Sequence, residues 1–216
     1  MKKALFLLTA IIVTACAEKP AIKSGDLLFV GLPMDFSLDT TSMSSGIVAA
    51  TGDGSDINYI HTAILESAND TIWIIDATIK RGVARYPLQD FLKDFTLRDG
   101  SYPLFEVYRF KNGPKDLVEN AKKAIGEPYD VYFLPDNGAR YCTELVRDSY
   151  LDENGSPILP AAPMNFKGPD GEFPVYWQQL FASINSTIPQ DTLGTNPQDM
   201  IKSPLLRKVD IDVTNL

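Results

Sequence analysis

Three residues of this chain can carry out acyl chemistry together: Cys142, His61 and Asp76. The sequence holds two cysteines, Cys16 and Cys142, and a single histidine, so any thiol–imidazole pair in its folded part is Cys142 with His61. A thiol attacks carbon as thiolate, which requires its pKa to come down from about 8.5. Cys142 stands where the loop Pro135-Asp-Asn-Gly-Ala139 gives way to a helical segment, Thr143 to Leu151. In a first helical turn, unbonded amides and the helix dipole favour an anion. The same amides can receive the oxyanion of a tetrahedral intermediate. A lone cysteine there can equally be a buried structural residue, so the neighbours decide.

His61 falls in the β-prone run Asn58-Tyr-Ile-His-Thr-Ala-Ile-Leu65. Alternation places His61, Ala63 and Leu65 on one face and Ile60, Thr62 and Ile64 on the other. A second β-prone run, Thr71 to Ala77, follows after Ser67-Ala-Asn-Asp70, a hairpin connection. With that loop, or with Ala68-Asn69 alone, opposed residue numbers sum to 137. Asp76 then lies directly across from His61, on the same face and about 5 Å away. A carboxylate there holds the imidazole in one tautomer and stabilises its charged form, the third role in a triad. Glu66 is an odd number of residues from His61 and points to the other face, which makes it the weaker candidate. A strand histidine and a strand-end aspartate are also common as ordinary core or rim residues. The case for a site rests on the register.

The elements that must position these groups follow from local pattern. Gly25-Asp26-Leu27-Leu28-Phe29-Val30 reads as a turn and an apolar strand, and Leu104 to Phe110 as another strand. Asp35 to Asp56, rich in Ser, Thr, Gly and Asp, reads as a surface loop with a short helix near Ile47 to Ala50. Val83 to Tyr86 leads into a helix over Leu88 to Phe95. Pro114 to Ile125 has helical spacing, with Pro at its start and Gly126 where helices end. The last third is proline-rich and carries one good helix, Val175 to Ile184. Apolar residues from Phe173 to Phe181 could line a pocket or simply cover the core. Tyr141, Tyr59 and Trp177 are the candidate pocket residues.

The N-terminus bears on compartment. Met1-Lys2-Lys3 is followed by an apolar run, Ala4 to Val13, too short for a permanent membrane span and suited to a secretory signal. Val13-Thr14-Ala15-Cys16 resembles a bacterial lipobox, in which cleavage leaves a lipid-bearing cysteine. Cleavage near Ala15 or Ala17 with a soluble product is the alternative. The expected division is a signal peptide at 1–15, a lipidated N-terminus and tether at 16–23, and a hydrolase domain at 24–216. The expected location is the bacterial cell envelope, lipid-anchored outside the cytoplasm. Lipidation of Cys16 leaves Cys142 an unpaired thiol in an exported protein. Losing residues 1–15 moves the formal charge from −8 to −10, since Lys2 and Lys3 leave and no acid does. So acidic a domain is a poor partner for nucleic acid or anionic headgroups. About 200 residues suit one domain, expected as a monomer. A zinc site would need two carboxylates beside the one histidine and the one available cysteine, so neither metal nor cofactor is expected.

Taken in order, Gly25-Asp26-Leu27-Leu28-Phe29, Ile60-His61-Thr62-Ala63-Ile64, Ile75-Asp76-Ala77, Gly126-Glu-Pro-Tyr129-Asp130 and Tyr141-Cys142-Thr143-Glu144-Leu145-Val146 resemble the circularly permuted NlpC-type cysteine peptidases, in their YiiX-like branch. In non-permuted relatives the cysteine helix precedes the histidine strand; here the histidine comes first. The resemblance covers roughly Ser24 to Tyr150. It implies an α+β, papain-like fold, with an antiparallel, partly barrel-like sheet packed against the Cys142 helix. It also implies Cys142 as nucleophile, His61 as general base and then acid, and Asp76 as the orienting residue. Family members often have glutamate at that third position, so aspartate departs by one methylene. Tyr141 and Glu144 match the motif and read as structural. The implied reaction is amide hydrolysis through a thioester acyl-enzyme. In an exported lipoprotein the natural amides are those of cell-wall stem peptides, such as γ-D-glutamyl linkages. A lipid or acyl-ester hydrolase or acyltransferase, of the lecithin retinol acyltransferase kind, is the alternative. A non-catalytic wall-binding lipoprotein is the third reading.

Overall fold

A computed structural model describes residues 21–216. The expectations at 1–15 and at Cys16, with most of the tether, lie outside the described residues. In chain order the elements begin β1 (Leu27–Pro33), α1 (Met43–Thr51), β2 (Ile57–Ala68), β3 (Thr71–Thr78), β4 (Gly82–Pro87), α2 (Leu88–Asp94) and β5 (Leu104–Phe110). They continue α3 (Leu117–Lys123), α4 (Cys142–Ser149), β6 (Ala162–Pro163), α5 (Val175–Ser183), β7 (Leu193–Gly194), α6 (Pro197–Met200) and β8 (Leu206–Val209). The long strands and helices fall where the sequence pattern predicts them. No described helix is long and apolar enough to cross a membrane.

Six strands form one antiparallel sheet in the order β4-β3-β2-β1-β5-β8, and β6 and β7 pair separately. The sheet is open, with β4 and β8 as free edges, rather than closed toward a barrel. Both faces are apolar because the strands alternate between two cores. Phe29, Ile64 and Ile75 meet Leu117, Ala121, Leu145 and Val146 of α3 and α4. On the opposite face Leu28, Leu65 and Ile74 meet Leu88, Phe91 and Leu92 of α2. A third, aromatic cluster joins Phe133 and Phe166 to Trp177 and Phe181 of α5. Leu145 is almost fully buried; trimming such a leucine to alanine typically costs about 2–5 kcal/mol, so the helix that begins at Cys142 is firmly seated.

Asp26 of the Gly-Asp-Leu motif is buried, and Arg109 of β5 donates to both its carboxylate oxygens at 2.6 Å. A fork-to-fork pair of this kind fixes geometry as well as charge. It clamps the start of β1 to β5 and gives the motif a structural role.

The β2–β3 turn is Asn69-Asp70, both in left-handed backbone (φ 51° and 57°), which suits a two-residue hairpin. Paired residues are Ile64 with Ile75, Leu65 with Ile74 and Glu66 with Trp73. Their numbers sum to 139 rather than the expected 137. Asp76 is therefore carried level with Ala63 and not with His61. A shift of two leaves the face unchanged, so Asp76 and His61 remain diagonal neighbours.

Candidate active site

The thiol is delivered by α4. Tyr141 caps the helix in extended backbone, and Cys142 is its first residue. Three residues past the cap, Glu144 turns back to accept the Tyr141 N–H at 3.4 Å, as an N3 glutamate does in a capping box. The Tyr141 hydroxyl accepts the Thr195 N–H at 2.9 Å, and the Thr143 hydroxyl donates to the Thr195 carbonyl at 3.1 Å. The two neighbours of Cys142 thus tie the β7–α6 connection to the head of α4. Burial, then the charges of Asp148 and Asp130, push the Glu144 carboxyl up to about 8. Glu144 is a framing residue, as its motif position implies.

His61 stands where β2 pairs with β1 alone, because pairing with β3 ends at Ile64. Between Val30 and Gly31 the β1–β2 register slips: Val30 opposes His61 while Gly31 opposes Tyr59. Ile60 is the extra residue of a bulge, which re-aims the side chains around it. Gly31 permits it, since a Cβ there would lie 2.6 Å from Ile57 Cγ2.

The bulge corrects two expectations. Ile60 does not alternate away from His61; it joins Ala63 and Leu65 in the α2-side core and lines the cleft at Cys142. Tyr59 does not face the pocket. It lies edge-on to Phe29 on the other side of the sheet, and its hydroxyl donates to Glu106 at 2.6 Å.

The His61 Nε2 meets Asp76 Oδ2 at 2.9 Å, and the same oxygen accepts the Tyr86 hydroxyl at 3.0 Å. Asp76 is fully buried. With Nε2 engaged by a carboxylate, Nδ1 is the ring nitrogen left to serve the thiol. Burial alone would lower the His61 pKa, but the negative charge of Cys142 and the hydrogen bond the ring donates to Asp76 outweigh it and raise it from 6.5 to about 10. The imidazole packs beside Phe91 and Phe95, with centroids 5.9 and 5.0 Å away. Glu66 is elsewhere: it pairs with Arg85 at 2.6 Å and Lys122 at 2.7 Å.

Cys142 opens onto a cleft of about 510 Å³, its open mouth included, walled by Ile47, Ile60, Tyr129, Phe133, Phe166 and Trp177. Trp177 and Tyr141 are in its lining, and Trp177 Nε1 donates to the Gly46 carbonyl at 3.0 Å. No charged side chain occurs among the described residues of the lining. Tyr129 is held well above the ordinary tyrosine range by burial and by the negative charge of Cys142. Its hydroxyl has a soft partner, Met43 Sδ at 3.8 Å. Sequence reasoning missed Tyr86, Ile60, Met164 and Thr195 as site residues. A polar group on β4 two positions past Ala84, which pairs with Asp76, was the available signal for Tyr86; the others had none.

A thiol at a helix start, an imidazole on an earlier strand and a carboxylate on the next strand stand in the permuted papain-like order. The chain belongs to the permuted papain-like amidase family of YaeF and YiiX, the C92 family, whose pattern matches residues 21–210. It is 26% identical to the uncharacterized protein YiiX of Escherichia coli strain K12, over 97% of this chain and 96% of that one. It also resembles the crystal structure of the metalloprotein YiiX (DUF1105) of Escherichia coli O157:H7, with a TM-score of 0.64 and 24% identity, covering 88% of this chain and 97% of that chain. That likeness carries the fold alone. Among the described residues of this chain, no three His, Cys, Asp or Glu side chains group as metal ligands, and the one imidazole spends Nε2 on Asp76. These residues do not fit a bound metal.

Proposed function

We propose that this protein is a cysteine amidase in which Cys142 is the nucleophile, His61 the proton carrier and Asp76 the residue that orients it. The observation that supports this is the Nε2–Oδ2 bond, which commits one imidazole nitrogen to the carboxylate and leaves the other for the thiol. The Cys142 sulfur adds to the carbonyl carbon of the amide. The nitrogen leaves with a proton from His61, and the acyl group stays on sulfur as a thioester. Water, deprotonated by His61, then attacks the thioester; the carboxylic acid departs and the thiol is restored. The Cys142 N–H at the start of α4 and the Tyr129 hydroxyl are the donors available to the oxyanion.

The cleft favours a substrate that is uncharged and apolar beside the scissile carbonyl. A γ-D-glutamyl stem peptide carries carboxylates there, and the described lining offers no cation to pair with them; burying an unpaired charge is costly. We therefore place neutral N-acyl amides above stem peptides. Full-length protein should release amine and free acid from a neutral N-acyl amide, identified by mass spectrometry. Cleavage of stem peptides with no turnover of acyl amides would reverse that order. In this reading the lipid expected on Cys16 holds the enzyme at a membrane, so Cys16→Ser in the precursor should shift it to the soluble fraction. Continued membrane fractionation without a lipid label on the wild type would remove the anchor.

A further inference from the structure

The pocket at the start of β1 is basic, unlike the cleft at Cys142. It encloses about 670 Å³ with its open mouth and shares no lining residue with that cleft. Lys23, Asp26, Arg109, Lys111 and Arg207 carry the charge of its lining. The chain as a whole stands at −8, which argues against a general attraction to anionic surfaces. At physiological salt, however, exposed charges more than about 8–10 Å apart are largely screened. The pocket's own charge therefore decides what settles in it.

Asp26, the one acid of the lining, is already committed. Both its carboxylate oxygens accept from Arg109, and Oδ2 also accepts the Lys23 N–H at 2.8 Å. Lys23, Lys111 and Arg207 are exposed and form no ion pair among the described residues; the Lys111 amine has one partner, the Pro204 carbonyl at 2.6 Å. Arg109 of β5 and Arg207 of β8 stand directly opposite each other in the ladder. Like charges so placed destabilise a sheet, and Asp26 neutralises the first arginine only. An anion with several oxygens, held by the Arg207 fork and the two amines, supplies the missing charge.

The same strand puts this pocket beside the tether. Arg109 donates to the Ala21 carbonyl at 2.9 Å, two residues before Lys23. Five residue steps separate Cys16 from Ala21, at most about 18 Å of chain. A lipid on Cys16 therefore keeps the pocket at the membrane surface, where phosphate is the abundant anion. We infer that the pocket binds the phosphate of an anionic phospholipid headgroup. Each basic side chain close to an anionic surface strengthens partition about fivefold, so three of them orient a domain that the lipid alone leaves free to turn. This rests on the lipid-anchor part of the reading above and adds to it the face turned to the membrane.

The test is lysine acetylation by N-hydroxysuccinimidyl acetate, read by peptide mass spectrometry on full-length protein. The protein is labelled with vesicles of phosphatidylcholine alone, with vesicles of phosphatidylcholine and phosphatidylglycerol in a three-to-one ratio, and with phosphatidylcholine vesicles plus inorganic phosphate. Phosphatidylglycerol should slow labelling of Lys23 and Lys111 at least about threefold and leave Lys167, exposed and outside the pocket, unchanged. Arg207→Glu should bring that ratio back near one, and Arg207→Lys should keep most of it. Iodoacetamide labelling of Cys142 should be the same in all three proteins, which shows that the fold is kept. Equal lysine labelling with and without phosphatidylglycerol overturns the headgroup site; slowing by inorganic phosphate alone overturns it in favour of a free phosphate. Slowing that extends to Lys167, or that survives Arg207→Glu, is general adsorption and overturns the pocket. The intact mass reports separately on Cys16: protection by phosphatidylglycerol in protein without lipid upholds the pocket while the anchor fails.

Discussion

His61 gives its Nε2 to Asp76 Oδ2 at 2.9 Å, and the Tyr86 hydroxyl holds that same oxygen at 3.0 Å. The carboxylate is thereby fixed from two directions, the ring cannot turn without losing a buried bond, and Nδ1 is the nitrogen left uncommitted. Orientation and charge come from one residue.

Asp76→Asn should lower kcat by about 10²–10⁴-fold with KM nearly unchanged, because the imidazolium loses its charge partner and its tautomer is no longer fixed. Asp76→Glu keeps the charge and should retain more activity than Asn. Tyr86→Phe removes one of two bonds to the oxygen and should cost about tenfold or less in kcat. Steady-state kinetics on the variants checks the ranking; an Asp76→Asn enzyme as fast as wild type would remove the orienting role.

The raised His61 pKa sets a pH window. In the unfolded chain the imidazole titrates near 6.5 and in the fold near 10. The stability gained from the charged ring is full below about pH 6.5 and is lost as pH rises through about 10. The imidazolium therefore persists across neutral pH beside the thiol. Iodoacetamide at about pH 6.5 should label Cys142 much faster than free cysteine, and His61→Ala should slow that labelling to the free rate. Equal rates for wild type and His61→Ala would break the pair.

Glu66 separates activity from stability. Its carboxylate joins Arg85 on β4 to Lys122 on α3. Burial raises its pKa, but the bonds from Lys122 and Arg85 outweigh that, and the net shift is downward. A depressed carboxylate stabilises above its unfolded pKa and loses that contribution as pH falls through the folded value. Glu66→Gln should cost about 1–3 kcal/mol at pH 7 and leave kcat within about twofold. Urea unfolding should show the gap from wild type closing in acid. A large loss of kcat in the folded variant would place Glu66 in the site.

What could be read in the sequence was local. The helix that begins at Cys142 is marked by the loop before it and by Leu145 and Val146 within it, and the hairpin by two β-prone runs around a polar turn. The face shared by His61 and Asp76 survived an error in register because the error was even. The bulge at Ile60 was not legible: it depends on Gly31 of another strand, far away in sequence, and it sent Tyr59 to the wrong side of the sheet. Short β8, Leu-Arg-Lys-Val, has no periodicity of its own and exists because β5 offers it an edge. Met164, Phe166 and Thr195 reach the cleft from irregular chain, where no repeat marks which side chain turns inward.

The most direct measurement of the central claim is peptide mapping after acid quench of a reaction with a neutral N-acyl amide in excess. The account predicts an acyl adduct on the peptide containing Cys142, formed by wild type and absent from Cys142→Ala, which should have lost turnover as well. Turnover that continues in Cys142→Ala, with no adduct on the wild-type thiol, would contradict it.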